Sequence, residues 1–302
     1  MPEILIHEVG PRDGLQMESA VAPTETKLHW IRRVAAAGVD IVQVGSFVRG
    51  DKVPQMADTD DLFRVLVQET SHATLSGLIL NEKGLERALA VGVPLICMGV
   101  SASGTHSRKN TGMDTADALQ RIIAAALEAK KAGRRVQVSV QSAFGCGFEG
   151  VIPEDRVMSL VSAYFDAGLT SVSLADTAGH ANPVQMRRYV EKVREMNPLA
   201  EVTAHIHNTY GLGMANVYAA MEAGATAIET SFGGLGGCPF TKVAAGNVAS
   251  EDFVHGLQRT GRRMDIDLAA LIAVTKDVAA FLGRELPGCV YKTGPITAKG
   301  TT

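Results

Sequence analysis

The sequence predicts one α/β domain that folds as a (β/α)₈ barrel, also called a TIM barrel, with an additional C-terminal helix. Eight short runs of apolar and β-branched residues alternate with longer segments of helical periodicity. Most of the short runs are continuously apolar, which is typical of parallel strands buried on both faces. A chain of 302 residues does not require two domains, because barrels of about 250 residues fold as one.

The elements follow in regular order along the chain. The predicted strands cover residues 4–9, 41–44, 74–80, 95–100, 136–141, 171–174, 202–206 and 227–230. The predicted helices between and after them cover residues 24–37, 60–69, 82–90, 115–132, 154–167, 183–196, 213–223 and 247–257. Four of these helices end in alanine followed by glycine, a common C-terminal signal.

A further helix over residues 268–282 and a tail follow the eighth unit, so we expect the single domain 1–302 to divide into a barrel over about residues 3–258 and an extension over about 259–302. The competing architecture is a doubly wound sheet. Its dinucleotide-binding GxGxxG loop does not follow the first predicted strand, which favours the barrel.

Composition narrows the classes of function. Hydrophobic residues make up 46% of the chain and charged residues 20%, which is ordinary for a soluble globular protein. A formal net charge of −3 offers no positive excess for a phosphate backbone, so nucleic acid is not expected as a partner. Four widely spaced cysteines suggest neither a zinc cluster nor a disulfide framework. No apolar stretch approaches the roughly 20 residues that span a bilayer, and we expect a cytoplasmic protein without membrane contact.

The first predicted strand closes on residues 8–16, with the sequence EVGPRDGLQ, which place Arg12 beside Asp13. Active sites of such barrels lie at the C-terminal ends of the strands. A carboxylate there can bind a divalent metal ion, and a neighbouring guanidinium can stabilise negative charge that develops on a carbonyl oxygen. The pair therefore suits chemistry on an enolate.

His205 and His207 lie two residues apart at the end of the seventh predicted strand, so their side chains share one face. With Asp13 they form an N₂O donor set, to which Asn247 after strand eight can add an amide oxygen. This set suits Mg²⁺ or Mn²⁺ better than a structural zinc. The alternatives are hydrogen-bonded core histidines and, for Asn247, the N-cap of a helix.

Three further positions carry candidate chemistry. Cys238 follows the glycine-rich residues 233–237. These residues suit a loop that closes over substrate and brings the thiol into position for proton transfer. The alternatives are a phosphate-binding loop and a plain turn. Asp176 closes strand six as a catalytic carboxylate or a turn-forming acid. Gln43 and Ser46 at the end of strand two are candidate substrate-binding groups.

Together these residues resemble the 3-hydroxy-3-methylglutaryl-CoA (HMG-CoA) lyases, a family of the metal-dependent TIM-barrel lyase and condensing-enzyme superfamily. The resemblance spans nearly the whole chain. Its most specific parts are the GPRDGLQ strand end and the cysteine loop. The matching segments are residues 8–16, 46–48, 53–56, 205–211, 234–240 and 246–252.

The resemblance implies a divalent metal ion, an acyl-CoA thioester substrate, and a homodimer. It implies that Asp13, His205, His207 and Asn247 bind the metal and that Arg12 stabilises the enolate oxygen. Cys238, Asp176 and His205 would join Arg12 as catalytic residues. The implied reaction is a retro-Claisen cleavage: the C3 hydroxyl loses its proton, the C2–C3 bond breaks, and HMG-CoA yields acetyl-CoA and acetoacetate.

Two positions depart from the family pattern. Gln43 occupies the place of a strand-two glutamate, and Asn208 the place of an aspartate after the second histidine. The acyl group is therefore open, and a lyase for another 3-hydroxyacyl-CoA is the first alternative. An aldolase or condensing enzyme of the same superfamily is less favoured, because such relatives typically carry an LRDGEQ-like motif. A non-catalytic ligand-binding barrel is the remaining alternative.

Overall fold

The computed structural model describes residues 4–237 and 246–296. Its eight strands are parallel and close into a barrel in sequence order, with β1 (Leu5–Glu8) paired to both β2 (Ile41–Ser46) and β8 (Ala227–Thr230). The predicted (β/α)₈ fold is confirmed. The strands between them are β3 (Thr74–Leu78), β4 (Leu95–Ser101), β5 (Arg135–Gln141), β6 (Ser171–Asp176) and β7 (Glu201–Ile206).

Helices follow the strands around the outside of the barrel. They are α1 (Thr24–Ala36), α2 (Thr59–Leu66), α3 (Glu82–Ala90), α4 (Gly104–Thr111), α5 (Thr115–Lys131), α6 (Glu154–Asp166), α7 (Pro183–Met196), α8 (Gly213–Glu222), α9 (Ser250–Gln258), α10 (Leu268–Leu282) and α11 (Val290–Thr293). The helix ends predicted from alanine-glycine pairs are confirmed, since Gly38 and Gly224 adopt φ angles of 99° and 98°. Among the described residues, no helix is both long and apolar enough to cross a membrane.

Two helices were not predicted, and one begins later than predicted. Helix α4 is short and polar, so it lacks the apolar periodicity that identifies the others; Ser103 caps it by accepting the N–H of His106. Helix α11 is only four residues long. Helix α9 begins at Ser250 rather than 247, after an isolated β-bridge between His207 and Asn247. The interpretation of Asn247 as an N-cap was therefore wrong.

The apolar core lies mainly between the barrel and its helices, where most buried aliphatic side chains form one continuous cluster. The interior of the barrel is different. Its apolar part is a small cluster of Ile41, Leu95 and Cys97, while buried polar groups occupy much of the rest, such as the Gln137 amide, which donates to the Thr203 hydroxyl at 3.0 Å. A polar interior is unusual for a barrel core, which branched aliphatic residues normally fill.

The predicted C-terminal helix packs on the start of the barrel. The Trp30 ring on α1 lies between Phe281 on α10 and Phe232 after β8, with ring-centroid distances of 5.4 and 6.4 Å. Arg33 forms an ion pair with Asp277 beside these rings. Helix α10 thus closes the outer layer where the first and last units meet.

Candidate metal centre

A tight turn at the end of β1 presents Arg12 and Asp13 to the mouth of the barrel. Residues Gly10–Gly14 form a single turn of π-helix. The carbonyl oxygen of Val9 accepts the N–H groups of Arg12, Asp13 and Gly14 at 3.1, 2.7 and 3.3 Å. Because three N–H groups donate to one carbonyl oxygen, the backbone turns tightly here. The side chains of Arg12 and Asp13 both project from this single turn.

The buried carboxylate of Glu8 ties this turn to the segment after β8. One of its oxygens accepts the N–H groups of Gly10 at 2.7 Å and Phe232 at 2.9 Å, and the other accepts the Ser250 hydroxyl. Burial raises the pKa of Glu8 to about 7, against the opposing effect of these hydrogen bonds. Glu8 thereby fixes the first strand end relative to the eighth.

Arg12 is held on two sides, because its Nε donates to Oε1 of Gln43 and its guanidinium pairs with Asp13. Gln43 and Ser46 both line the same cavity, although residues three apart face opposite sides of a regular strand. A register shift between Gln43 and Gly45 brings both inward. The Ser46 hydroxyl is buried and has no hydrogen-bond partner in the structure.

The two histidines of β7 converge with Asp13. The Nε2 atoms of His205 and His207 lie 3.0 Å apart, and Nε2 of His207 lies 3.7 Å from Oδ2 of Asp13. All three ligand atoms fall within 4.8 Å of one another. Adjacent ligands of an octahedral ion with bonds of about 2.1 Å are about 3 Å apart, so the spacing fits a divalent cation.

Asn247 joins this cluster from the segment after β8. Its Nδ2 donates to Oδ2 of Asp13 at 2.7 Å and to the carbonyl oxygen of Leu235 at 2.9 Å. Its Oδ1 is buried, and no residue that the structure describes donates a hydrogen bond to it. An amide oxygen left without a donor, next to a carboxylate and two imidazoles, fits a ligand of a hard cation.

The charges at this cluster favour a cation. Burial alone would raise the pKa of Asp13, but Arg12 and both histidines outweigh it and hold the pKa below its ordinary value. Burial lowers the pKa of His207, so its imidazole is neutral near pH 7, whereas at His205 the hydrogen bond and charge of Glu229 outweigh burial and raise the pKa. An ionised carboxylate and neutral imidazole nitrogen are the forms that bind metal.

The site opens into a cavity of about 230 Å³ at the C-terminal ends of the strands. Arg12, Asp13, Gln43, Ser46, His205 and His207 all line it. Glu229 of β8 lines it too, and sequence reasoning missed this residue. The signal available in the sequence was a carboxylate placed among the apolar residues of a strand that was expected to be buried.

Asp176, a predicted catalytic residue, lies apart from this group. Asp176 is buried, and its carboxylate accepts the N–H groups of His180 and Ala181 in the loop after β6, at 2.8 and 3.2 Å. Asp176 lies on the opposite face of β6 from Ala175, which lines the cavity. Its observed contacts are therefore those of a turn-forming acid. Cys238 lies outside the described residues. The catalytic roles of both residues stay predictions.

Asn208, which departs from the family pattern, supports the loop after β7. Its Oδ1 accepts the N–H of Gly213 at the start of α8, at 2.8 Å. An aspartate can accept the same bond, so this departure leaves the backbone next to His207 intact.

The closed barrel and the Asp-His-His cluster define the class: a (β/α)₈ barrel with a candidate divalent-metal centre at the C-terminal ends of its strands. Residues 3–278 match the family model described as HMGL-like. The chain belongs to this family.

Three relatives illustrate the similarity. The chain is 37% identical to an (R)-citramalyl-CoA lyase of Chloroflexus aurantiacus, over 98% of this chain and 96% of that protein. It is 34% identical to a hydroxymethylglutaryl-CoA lyase of Bacillus subtilis, over 94% and 95% respectively. A solved HMG-CoA lyase from Acinetobacter baumannii, in complex with coenzyme A and 3-methylmalate, superposes with a TM-score of 0.93 at 36% identity, covering 99% of this chain and 98% of that chain.

Proposed function

We propose that this protein is a divalent-metal-dependent carbon–carbon lyase that cleaves HMG-CoA to acetyl-CoA and acetoacetate. The observation that carries the proposal is the convergence of Asp13, His205 and His207 beside the Arg12 guanidinium in one cavity. That arrangement joins a cation site to a fixed positive charge, as enolate chemistry requires. The similarity to lyases of CoA thioesters over nearly the full length supports the same reaction class.

The metal ligands in this proposal are Asp13, His205, His207 and Asn247, and the oxygen-rich, thiolate-free set favours Mg²⁺ or Mn²⁺. When bound, such an ion would lower the pKa of a coordinated hydroxyl and neutralise developing charge. Arg12 has a separate task. Its guanidinium, held by Gln43 and Asp13, stabilises the negative charge that moves onto the thioester oxygen when the C2–C3 bond breaks.

Protons and electrons balance over the whole cleavage, because the proton that leaves the C3 hydroxyl is matched by the proton that is added at C2. The C3 hydroxyl gives its proton to a base and becomes a ketone, while the C2–C3 electron pair moves to the enolate of acetyl-CoA. A proton then returns to C2. We assign this second transfer to Cys238, because the residue before it, Gly237, lines the cavity and a thiol can give up a proton.

The two predicted roles of His205 compete for one atom. Its Nε2 faces His207 and Asp13, so it can bind the metal or accept a proton, but it cannot do both at once. We assign Nε2 to the metal.

A second substrate, (R)-citramalyl-CoA, is favoured by the similarity to the Chloroflexus aurantiacus lyase. Its acyl group carries the same thioester, tertiary hydroxyl and methyl group as HMG-CoA. It lacks one methylene before the carboxylate. Discrimination by one methylene amounts to about 1–3 kcal/mol, or roughly 10–200-fold in kcat/KM, so the two substrates are separable by measurement.

The deciding experiment offers both thioesters to the purified protein with Mn²⁺ and measures acetyl-CoA release. The ketone products separate the candidates, since HMG-CoA gives acetoacetate and citramalyl-CoA gives pyruvate, each detected by a different NADH-coupled dehydrogenase. We expect acetyl-CoA and acetoacetate in equal amounts from HMG-CoA. A preference for citramalyl-CoA would replace the substrate but keep the reaction class. Release of acetyl-CoA from neither thioester, nor from other 3-hydroxyacyl-CoA compounds, would refute the proposed function.

A further inference from the structure

Glu229 is a buried charged residue inside the barrel that the proposed reaction does not use. Glu229 is 5% exposed, and its side chain lines the same cavity as the candidate metal ligands His205 and His207. Its Oε2 lies 2.8 Å from Nδ1 of His205, and its Oε1 lies 3.6 Å from Nδ1 of His7 on β1. A carboxylate in a barrel interior is costly to bury unless it is paired, so these contacts demand an explanation.

The carboxylate of Glu229 lies closest to the outer nitrogen of the His205 ring. Its Oε2 is 2.8 Å from Nδ1 of His205, whereas its Oε1 is 3.6 Å from Nδ1 of His7. A carboxylate accepts hydrogen bonds, and a neutral imidazole donates through the nitrogen that carries its hydrogen. The 2.8 Å contact therefore favours the hydrogen of His205 on Nδ1.

This contact decides which nitrogen of His205 can bind a cation. A neutral imidazole carries one hydrogen, and when Nδ1 holds it the lone pair is on Nε2. The Nε2 atom is the one that faces His207 at 3.0 Å and belongs to the metal cluster. Residues that bond the outer nitrogen of a metal-binding histidine fix its tautomer and ring orientation.

His7 supports Glu229 from the other side. The His7 ring is fully buried, and burial lowers its pKa to about 4 against the opposing effect of Glu229, so it is neutral. Its Nε2 lies 2.9 Å from the Ser76 hydroxyl on β3. The chain of contacts thus runs from β3 through β1 to β8 and ends at the histidine on β7.

We propose that Glu229 is a positioning residue: by accepting the Nδ1–H of His205, it holds the imidazole in the tautomer and orientation in which Nε2 binds the divalent ion. This inference rests on the proposed metal site. A purely structural ion pair would affect stability and leave both the tautomer and the metal affinity unchanged.

The test uses three variants of the full chain. Glu229→Leu removes the acceptor, Glu229→Gln keeps a neutral acceptor of the same size, and Ser76→Ala removes the far end of the contact chain without touching His205. Two readouts are compared. One is the Mn²⁺ dissociation constant of chelator-treated protein, measured by the EPR signal of free Mn²⁺. The other is the tautomer of His205, measured by ¹⁵N NMR without metal and at a pH above the pKa of His205, which Glu229 raises against the effect of burial.

We expect Glu229→Leu to weaken Mn²⁺ binding by roughly 10–100-fold, Glu229→Gln to weaken it less, and Ser76→Ala to leave it unchanged. In the wild type, His205 should be the Nδ1–H tautomer, and this preference should be lost in Glu229→Leu. If Glu229→Leu does not fold, the Gln variant carries the test.

A folded Glu229 variant with wild-type Mn²⁺ affinity and the wild-type tautomer would overturn the inference. Failure of the proposed function is distinguishable, because it appears as normal Mn²⁺ binding and a normal tautomer without acetyl-CoA release. Failure of the wild type to bind Mn²⁺ would overturn the metal site and the inference together.

Discussion

Glu251 gives a pH-dependent stability that can be worked out from the structure. Its side chain is buried at the start of α9, where Oε2 accepts the N–H of Gly233 at 3.0 Å and the Thr275 hydroxyl at 3.2 Å. Its Oε1 has no hydrogen-bond partner among the residues that the structure describes. Burial, with smaller contributions from the charges of Asp252 and Glu8, raises its pKa from 4.5 to about 8.

Between these two values the folded protein holds a proton that the unfolded chain has released. The stability contribution of Glu251 is therefore fully present below pH 4.5 and is lost as the pH rises through about 8. The slope approaches about 1.4 kcal/mol per pH unit and flattens near each pKa, so about 3 kcal/mol is lost between pH 5 and pH 8.

Glu251→Gln tests this reasoning, because glutamine imitates the protonated acid and cannot ionise. We expect the free energy of unfolding of the variant to match the wild type near pH 5 and to exceed it by about 3 kcal/mol at pH 8. Urea unfolding followed by circular dichroism, at fixed ionic strength and without metal, measures the difference. Glu82→Gln is the control, since Arg121 lowers the pKa of the exposed Glu82 and moves its titration out of this window. Parallel curves for wild type and Glu251→Gln from pH 5 to pH 8.5 would refute the raised pKa.

Three further changes act on the proposed reaction. Arg12→Gln should lower kcat by roughly 10²–10³-fold, because the positive charge at the enolate oxygen is lost, while Mn²⁺ binding persists. Arg64→Gln on the surface of α2 is the control. Unchanged turnover in Arg12→Gln would contradict the role of Arg12. Cys238→Ala should lower turnover with little change in KM, whereas full activity would reduce the thiol to a structural residue. In Gln43→Glu, the new carboxylate should pair with the Arg12 guanidinium, partly neutralise its charge and lower kcat. A kcat equal to that of the wild type would show that the neutral Gln43 amide is unimportant.

The alternation of apolar runs and amphipathic segments was enough to predict the barrel. Helices α3, α7 and α10 begin and end where they were predicted, because apolar periodicity marks all three; a glycine follows α3 and α10, and a proline follows α7. Helix α4 was missed because eight polar residues carry no periodic signal. Its position depends on the Ser103 cap and on packing beside β4, which sequence pattern does not show.

The candidate site was predictable where local spacing determines geometry. Two histidines on one strand face and a charged pair at a strand end could be read directly. The β2 bulge that turns both Gln43 and Ser46 inward depends on pairing with β3, so its geometry was not accessible. Glu229 and His7 were missed for a related reason: each lies within a strand, and only closure of the barrel places them in contact.

Metal-dependent acetyl-CoA release tests the central claim most directly. Chelator-stripped protein is titrated with Mg²⁺ or Mn²⁺ in the presence of HMG-CoA or citramalyl-CoA, alongside His205→Ala and the surface control His29→Ala. We predict release that requires the ion, saturates with it, falls to background in His205→Ala and persists in His29→Ala. Equal release from stripped protein, or from His205→Ala, would contradict a metal centre built on Asp13, His205 and His207.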